Sequence, residues 1–345
     1  MDQISTLQHY RANQSEAARR IAMLNLVPKE KKSMPGKFNG IVFGYVFALG
    51  ATALWSGNFI VARGLTNAIP PVSLAFYRWL TAVLIFFPFA VRGAIREWGG
   101  IKQHLPFIAI TAFLGITCFN TFIYVAGRTT TAMNLSLISI TFPIFIVLFS
   151  SVLFNEKLTL KKGSGMLMVL TGVVCLITKG SVATLLSITF AVGDMWMLAA
   201  AVIFAVFSIL LKRKPETISI KPFQFASFLL GLIFLFPFFI WEQIRLPGNV
   251  LNQTTIPAIL YVGIFASLCA FLLWNRAIVI LGPSRAGMVY YTLPMFTGLL
   301  GYLFLGEAIG IIHLISMVVI LTGIVLANQS AQTRGGQTEK RRGKA

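Results

Sequence analysis

The sequence predicts an all-α integral membrane protein with ten transmembrane helices, arranged as two inverted five-helix repeats. Three observations carry that expectation: the composition, a set of ten apolar runs, and a period half the chain long. Of the 345 residues, 57% are hydrophobic and 11% are charged, and the mean hydropathy is +0.80. A soluble chain would be about a quarter charged. So few charges cannot cover a surface facing water, so lipid is the solvent for most of the chain. The formal net charge of +19 does not point to nucleic acid. Its basic residues sit in the tails and in short loops between apolar runs, not on one folded face.

Runs of roughly 17 to 25 apolar residues can cross a bilayer. They occur near 40–62, 72–91, 105–125, 132–154, 163–179, 192–211, 223–241, 256–275, 286–305 and 310–328. Inside hydrocarbon each backbone group must be satisfied within its own segment, so these runs are helices. The expected organisation is a cytosolic tail over 1–39, a first five-helix unit over 40–179, a second over 192–328, and a basic cytosolic tail over 329–345. The first tail has no apolar core of the signal-peptide kind. The last is polar, Gly-rich and basic, a composition that does not pack. Cys118, Cys175 and Cys269 all fall within apolar runs, which reads as packing and not as a disulfide framework.

Orientation follows from the basic residues. With a cytosolic N-terminus, 24 of the 29 Lys and Arg residues lie on the cytosolic side. The other side keeps Arg63, Arg128, Lys179 and Arg245, and Arg78 lies within a span. Both termini are therefore expected in the cytosol, and the absence of a signal peptide together with tight loops suits a bacterial inner (cytoplasmic) membrane.

The period comes from Pro143, Glu156 and Gly172, which recur as Pro294, Glu307 and Gly323, each 151 positions later. Leu170-Thr171-Gly172-Val173 is answered by Leu321-Thr322-Gly323-Ile324, and Phe87-Pro88-Phe89 by Phe236-Pro237-Phe238 at an offset of 149. At that same offset Trp55 falls on Phe204. This is an internal duplication. Five spans per copy is an odd number, so the second copy must enter the membrane from the opposite side. Inverted repeats are a common construction for alternating-access transporters.

Leu54-Trp55-Ser56-Gly57-Asn58-Phe59 in the first helix, Phe76-Tyr77-Arg78-Trp79 in the second, and the doubled Pro…Glu…Thr-Gly pattern together carry a likeness. Over nearly all of residues 40–328 the chain resembles the EamA-like transporters of the drug/metabolite transporter superfamily. The resemblance implies a ten-helix basket with a central cavity and export or exchange of small metabolites. Members of that family differ in cargo, so the likeness does not name one.

Pro143 and Pro294 are expected in the middle of helices four and nine, where each removes a hydrogen bond to the carbonyl of Ser139 or Tyr290. Paired interruptions in corresponding helices point to a central site; packing kinks without a ligand are the other reading. Trp55 and Asn58 share a face of helix one with Thr52, and Asn120 and Tyr124 share a face of helix three with Thr117. Their equivalents in the second copy are read as Phe204 and Phe207, and as Leu268 and Leu272. A polar half facing an aromatic half suits a small amphipathic molecule, such as an amino acid with an apolar side chain. Asn58 and Asn120 could equally join helices to one another. Of Tyr290 and Tyr291, only one can face inward.

Arg78 is a charge inside a span, at a cost of about 2.5 kcal/mol or more, so it needs a partner. Glu307, Asp194 and a cargo carboxylate are the candidates, with a structural ion pair preferred. Glu156 and Glu307 end their helices, where a carboxylate opposes the helix dipole; both are read as structural charges with fixed partners. No mid-membrane cluster of carboxylates or histidines offers a proton relay, a metal site or the catalytic pair of an intramembrane enzyme. The expected function is therefore transport, not catalysis, with no cofactor or metal. The expected partners are a small-molecule substrate and the lipid bilayer, with no nucleic acid, and the oligomeric state is left open. A lipid carrier or flippase built on the same fold is the alternative. Single-cysteine labelling should place 155–162 and 212–221 in the cytosol and 242–254 outside. Finding 155–162 and 242–254 on one side would overturn the inversion.

Overall fold

A computed structural model of the chain describes residues 37–65, 68–130, 135, 138–139, 141–154, 158–189, 191–246, 251–253, 255–305 and 310–329. Glu156 and Glu307, expected as structural charges, lie outside the described residues, as do nearly all of the two tails. The described residues from Ile41 onward belong to one compact unit. Among the described residues every regular element is helical. The main helices are α1 (Lys37–Leu65), α2 (Pro71–Arg96), α3 (Leu105–Ala126), α4 (Phe142–Leu153), α5 (Leu160–Thr178) and α6 (Val192–Lys212). They continue with α7 (Ile220–Arg245), α8 (Thr255–Leu281), α9 (Pro283–Tyr290), α10 (Leu293–Leu305) and α11 (Ile311–Gln329). Seven helices are long and apolar enough to cross a membrane: Gly40–Asn58 within α1, together with α2, α3, α5, α6, α7 and α8. α4, α10 and the stretch Ile311–Ala327 of α11 are apolar but shorter.

Corresponding helices of the two copies pack against each other. Along α2 and α7, Ser73 meets Glu242, Phe76 stacks on Phe239 at 4.1 Å, Trp79 lies 4.8 Å from Phe228, and Gly93 faces Pro222. One residue number rises as the other falls, so the two helices run antiparallel. Each also closes the N-terminus of the other. Glu242, near the end of α7, accepts from the amides of Val72 and Ser73 at 3.1 and 2.6 Å, and from Ser73 Oγ at 2.7 Å. Glu97, just past the end of α2, accepts from Ser219 N and Ser219 Oγ, both at 2.7 Å. A carboxylate at a helix start satisfies unpaired amides and meets the positive end of the dipole. Burial raises the Glu97 pKa, but the bonds from Ser219 and Arg96 outweigh it and hold the carboxyl below its ordinary range.

α5 and α11 make a closer crossing, again antiparallel, because glycine lets the backbones touch. A β-carbon on Gly165 would stand 2.6 Å from the amide nitrogen of Ala327, and one on Gly323 would stand 2.8 Å from the Gly165 carbonyl oxygen. One on Gly172 would meet Ile320 Cγ1 at 2.9 Å, and one on Gly323 would meet Val169 Cγ2 at 2.7 Å. Gly172 and Val169 have Gly323 and Ile320 as counterparts 151 residues on. Gly172 on Ile320 and Gly323 on Val169 are therefore one contact made twice with the roles exchanged, as across a two-fold axis.

A further pair of crossings exchanges in the same way. α1 lies on α8, with Gly44 facing Leu281, Gly50 facing Leu273 and Gly57 facing Tyr261. Its counterpart α6 lies on α3, with Gly193 facing Ala126 and Phe207 over Gly115. Gly165→Ala and Gly323→Ala should lower the melting temperature in detergent, because overpacking costs about 1–3 kcal/mol. Gly163→Ala, two residues before Gly165, should not, since its β-carbon would meet nothing within 4 Å. Equal melting temperatures for the three would rule out the close crossing.

Candidate functional site: a buried arginine beside an aromatic wall

Arg78, on α2, is fully buried. Its Nε donates to Ser267 Oγ. Nη1 donates to Tyr124 OH at 2.8 Å and to Asn58 Oδ1 at 3.4 Å, and Nη2 donates to the Ala266 carbonyl at 2.9 Å. The guanidinium carbon lies 5.3 Å from the centre of the Trp79 ring. Tyr124 OH in turn donates to Asn58 Oδ1 at 3.3 Å, and Ser267 Oγ to the Val262 carbonyl at 2.7 Å. All four acceptors of Arg78 are neutral.

The expected ion pair with Asp194 is not formed. Asp194 lies in the first turn of α6, where Oδ2 accepts the Ala191 amide at 2.7 Å and Oδ1 accepts Thr130 Oγ1. Its carboxylate serves the start of its own helix. Glu307, the other protein candidate, lies outside the described residues.

The carbonyl that binds Arg78 is available because α8 widens into a π turn over Ile264–Cys269. The Ala270 amide bonds to Phe265 O and Ser267 O, passing over Ala266. The oxygen left out of the ladder accepts both Arg78 Nη2 and Trp55 Nε1, each at 2.9 Å. α3 widens identically over Phe113–Cys118, and there the Phe119 amide bonds to Leu114 O, passing over Gly115. Gly115 precedes Ala266 by 151 positions. The backbone device is thus present in both copies, but the residues facing it differ. Trp55 bonds to the π turn of α8 and Asn58 reaches it through Arg78, whereas Phe207, the counterpart of Asn58, covers that of α3.

Trp55 joins this polar cluster to a wall of rings. Its ring centre lies 5.2 Å from Trp274, 5.7 Å from Phe204 and from Phe271, and 6.0 Å from Tyr290. Phe142 closes the far side, 5.4 Å from Tyr290. Tyr290 therefore faces the wall. Tyr291 instead packs beside Val147, Ile320 and Ile324, and its hydroxyl has no protein partner. Asn120 is 2% exposed, with Nδ2 unpartnered, one turn from Tyr124. Ser139 is buried.

Two expectations change. Pro143 and Pro294 do not bend continuous helices; each is the second residue of a new one, α4 or α10. Proline lacks the donor and clashes with the preceding turn, and a threonine two residues earlier completes the break. Thr141 N and Oγ1 donate to Ile138 O at 2.9 and 2.7 Å. Thr292 N and Oγ1 donate to Val289 O at 3.0 and 2.8 Å. The second change is one of register. The π turns fix the offset between α3 and α8 at 151, so the equivalents of Asn120 and Tyr124 are Phe271 and Asn275, not Leu268 and Leu272. Asn275 is fully buried, with neither amide atom partnered by protein. Ser267, Ala266, Trp274 and Glu242 were not read from the sequence. Pro106 with Pro257 and Cys118 with Cys269, both pairs 151 apart, were the available signal for the register.

The sequence model of the EamA-like transporter family matches residues 42–178 and again 191–329. A protein of Archaeoglobus fulgidus named an uncharacterized transporter is 29% identical over 79% of this chain and 93% of its own length. Another with that name, from Methanothermobacter thermautotrophicus, is 27% identical over 84% and 88%. A WAT1-related chloroplastic protein of Arabidopsis thaliana is 24% identical over 79% of this chain and 66% of its own. A solved crystal structure, 22% identical, superposes with a TM-score of 0.68 over 84% of this chain and 98% of that one, a likeness of fold. Two matches to one family, together spanning most of a chain whose helices pair copy on copy, make this protein a member of the EamA-like transporter family.

Proposed function

We propose that the chain is a secondary transporter that exports or exchanges small amphipathic metabolites across the cytoplasmic membrane by alternating access. In this reading it has ten membrane-crossing segments in two inverted units, with both termini cytosolic. The antiparallel pairing of corresponding helices, α2 with α7 and α5 with α11, is the observation that carries the proposal. Two copies of one unit meeting head to tail are what a duplication with opposite membrane orientation requires. Such a unit has two near-equivalent ways of packing against its copy, one for each side of the membrane. The broken helices at Thr141-Phe142-Pro143 and Thr292-Leu293-Pro294 agree with it, since irregular backbone at membrane depth is tolerated where it is buried in protein or lines a path. The Trp55–Tyr290 wall between these breaks gives an apolar body a surface, and the Arg78 cluster gives a polar end its partners.

Counterflow in proteoliposomes tests this. Vesicles loaded with one member of a panel of small metabolites should accumulate the same labelled compound from outside, against protein-free controls. Translocation of a labelled phospholipid without any solute counterflow would replace the reading with that of a flippase.

A further inference from the structure

We infer that Arg78 is the docking point for a carboxylate on the cargo, and that the cargo is a monocarboxylate with an apolar body. The inference rests on the transporter reading and narrows its substrate class. It starts from the charge balance. Arg78 is the one buried basic side chain among the described residues, and its partners are a serine hydroxyl, a phenol, an amide oxygen and a backbone carbonyl. These oxygens orient the guanidinium but do not neutralise it. An intramembrane charge held this way marks a functional site, and its natural complement is an anion.

The arrangement also lets an anion in. Each acceptor already engages a second group: Ser267 donates to Val262, Tyr124 to Asn58, and Ala266 also accepts from Trp55. Losing Arg78 leaves each of them partnered. The Asn58 bond, at 3.4 Å, is the longest of the four. A carboxylate brings a full negative charge and a two-pronged geometry that these neutral oxygens lack, so it competes with them for the guanidinium. The Trp79 ring covers one face of the guanidinium, which leaves its N–H edge for the cargo. Trp79, next to Arg78 in sequence, and Asn120, one turn from Tyr124, carry buried donors unpartnered by protein, Nε1 and Nδ2. The rest of the molecule meets the rings around Trp55. One cation selects one carboxylate; a second would be buried unpaired.

The test uses the full-length protein purified in detergent and the fluorescence of its tryptophans, three of which, Trp55, Trp79 and Trp274, belong to the site. The probes are phenylacetate, 3-phenylpropanoate and 4-methylpentanoate, each beside its uncharged amide. At least one carboxylate should give a saturable change, with its amide about tenfold weaker or more, the ratio for a charge-assisted contact worth about 1.4 kcal/mol. Arg78→Gln should abolish the response. Arg78→Lys should weaken it, since an ammonium lacks the two-pronged fork. Ser267→Ala removes a competing acceptor without touching the charge and should bind the carboxylate as well as wild type or better. If Arg78→Gln does not fold, the carboxylate–amide comparison and Ser267→Ala still decide. Equal binding of amide and carboxylate, a response retained in folded Arg78→Gln, or no response to any carboxylate would overturn the inference. Should counterflow nevertheless succeed with a neutral or cationic compound, the transporter reading stands and only the carboxylate is lost.

Discussion

A single guanidinium held by neutral oxygens constrains the centre of this protein. An arginine cannot shed its proton in a protein interior, so burying Arg78 obliges the surrounding helices to supply acceptors. A regular α-helix has no wholly unbonded carbonyl in its interior, because each already accepts one bond along the helix and can offer a further donor only its second lone pair. α8 supplies one by widening into a π turn that leaves Ala266 O out of its ladder. The same oxygen fixes Trp55, and Trp55 fixes the edge of the ring wall. One backbone irregularity thus sets a charge and an aromatic surface side by side.

The duplication shows that this irregularity belongs to the fold and not to the charge. α3 carries the same π turn 151 residues earlier, with no arginine to serve; the counterpart of Arg78 is Ser227. Phe207 lies where Asn58 would be, and Thr117 bonds across to Gly231 O at 3.0 Å. The two copies share backbone, crossings and breaks, and differ in the side chains that face the centre. Asymmetry of chemistry on a symmetric frame sets a polar half against an aromatic one.

Much of this was legible in the sequence, and the limits are physical. Hydropathy and the repeat gave helices and their correspondence between the two copies, because both depend on residue class summed over many positions. Trp55, Asn58, Arg78 and Tyr124 could be picked out singly because polar or bulky groups in apolar runs are costly enough to need a reason. The protein partners sought for Arg78 were carboxylates, because that search weighed charge complementarity alone. Asp194 is a carboxylate, but the start of α6 claims it, a local demand that a search for ion pairs does not weigh. Ala266 could not have been found at all, since its role belongs to its backbone oxygen and not to its side chain. Pro143 and Pro294 were seen as bends because proline was read alone. Thr141 and Thr292, which take up the carbonyls three residues back, turn a bend into a break.

The symmetric and asymmetric contacts also do different work in the alternating-access reading. α2–α7 and α5–α11 map onto themselves when the two copies are exchanged, so they can hold the copies together without preferring either end state. α1–α8 and α6–α3 map onto each other, so a motion that tightens one loosens the other at nearly equal cost. Arg78 breaks that balance, because its charged bonds to Ser267 and Ala266 tie α2 to α8, whereas α7 and α3 are joined by the neutral bond of Thr117 Oγ1 to Gly231 O. Bonds to a charged group contribute about 1.5–3 kcal/mol each, enough together to make one end state dominant without cargo. A ligand shifts such an equilibrium only by its differential affinity for the two states. The group that must be freed from α8 for the copies to rock is therefore also the group best placed to bind the cargo. Occupancy and motion would then be coupled through the same atoms.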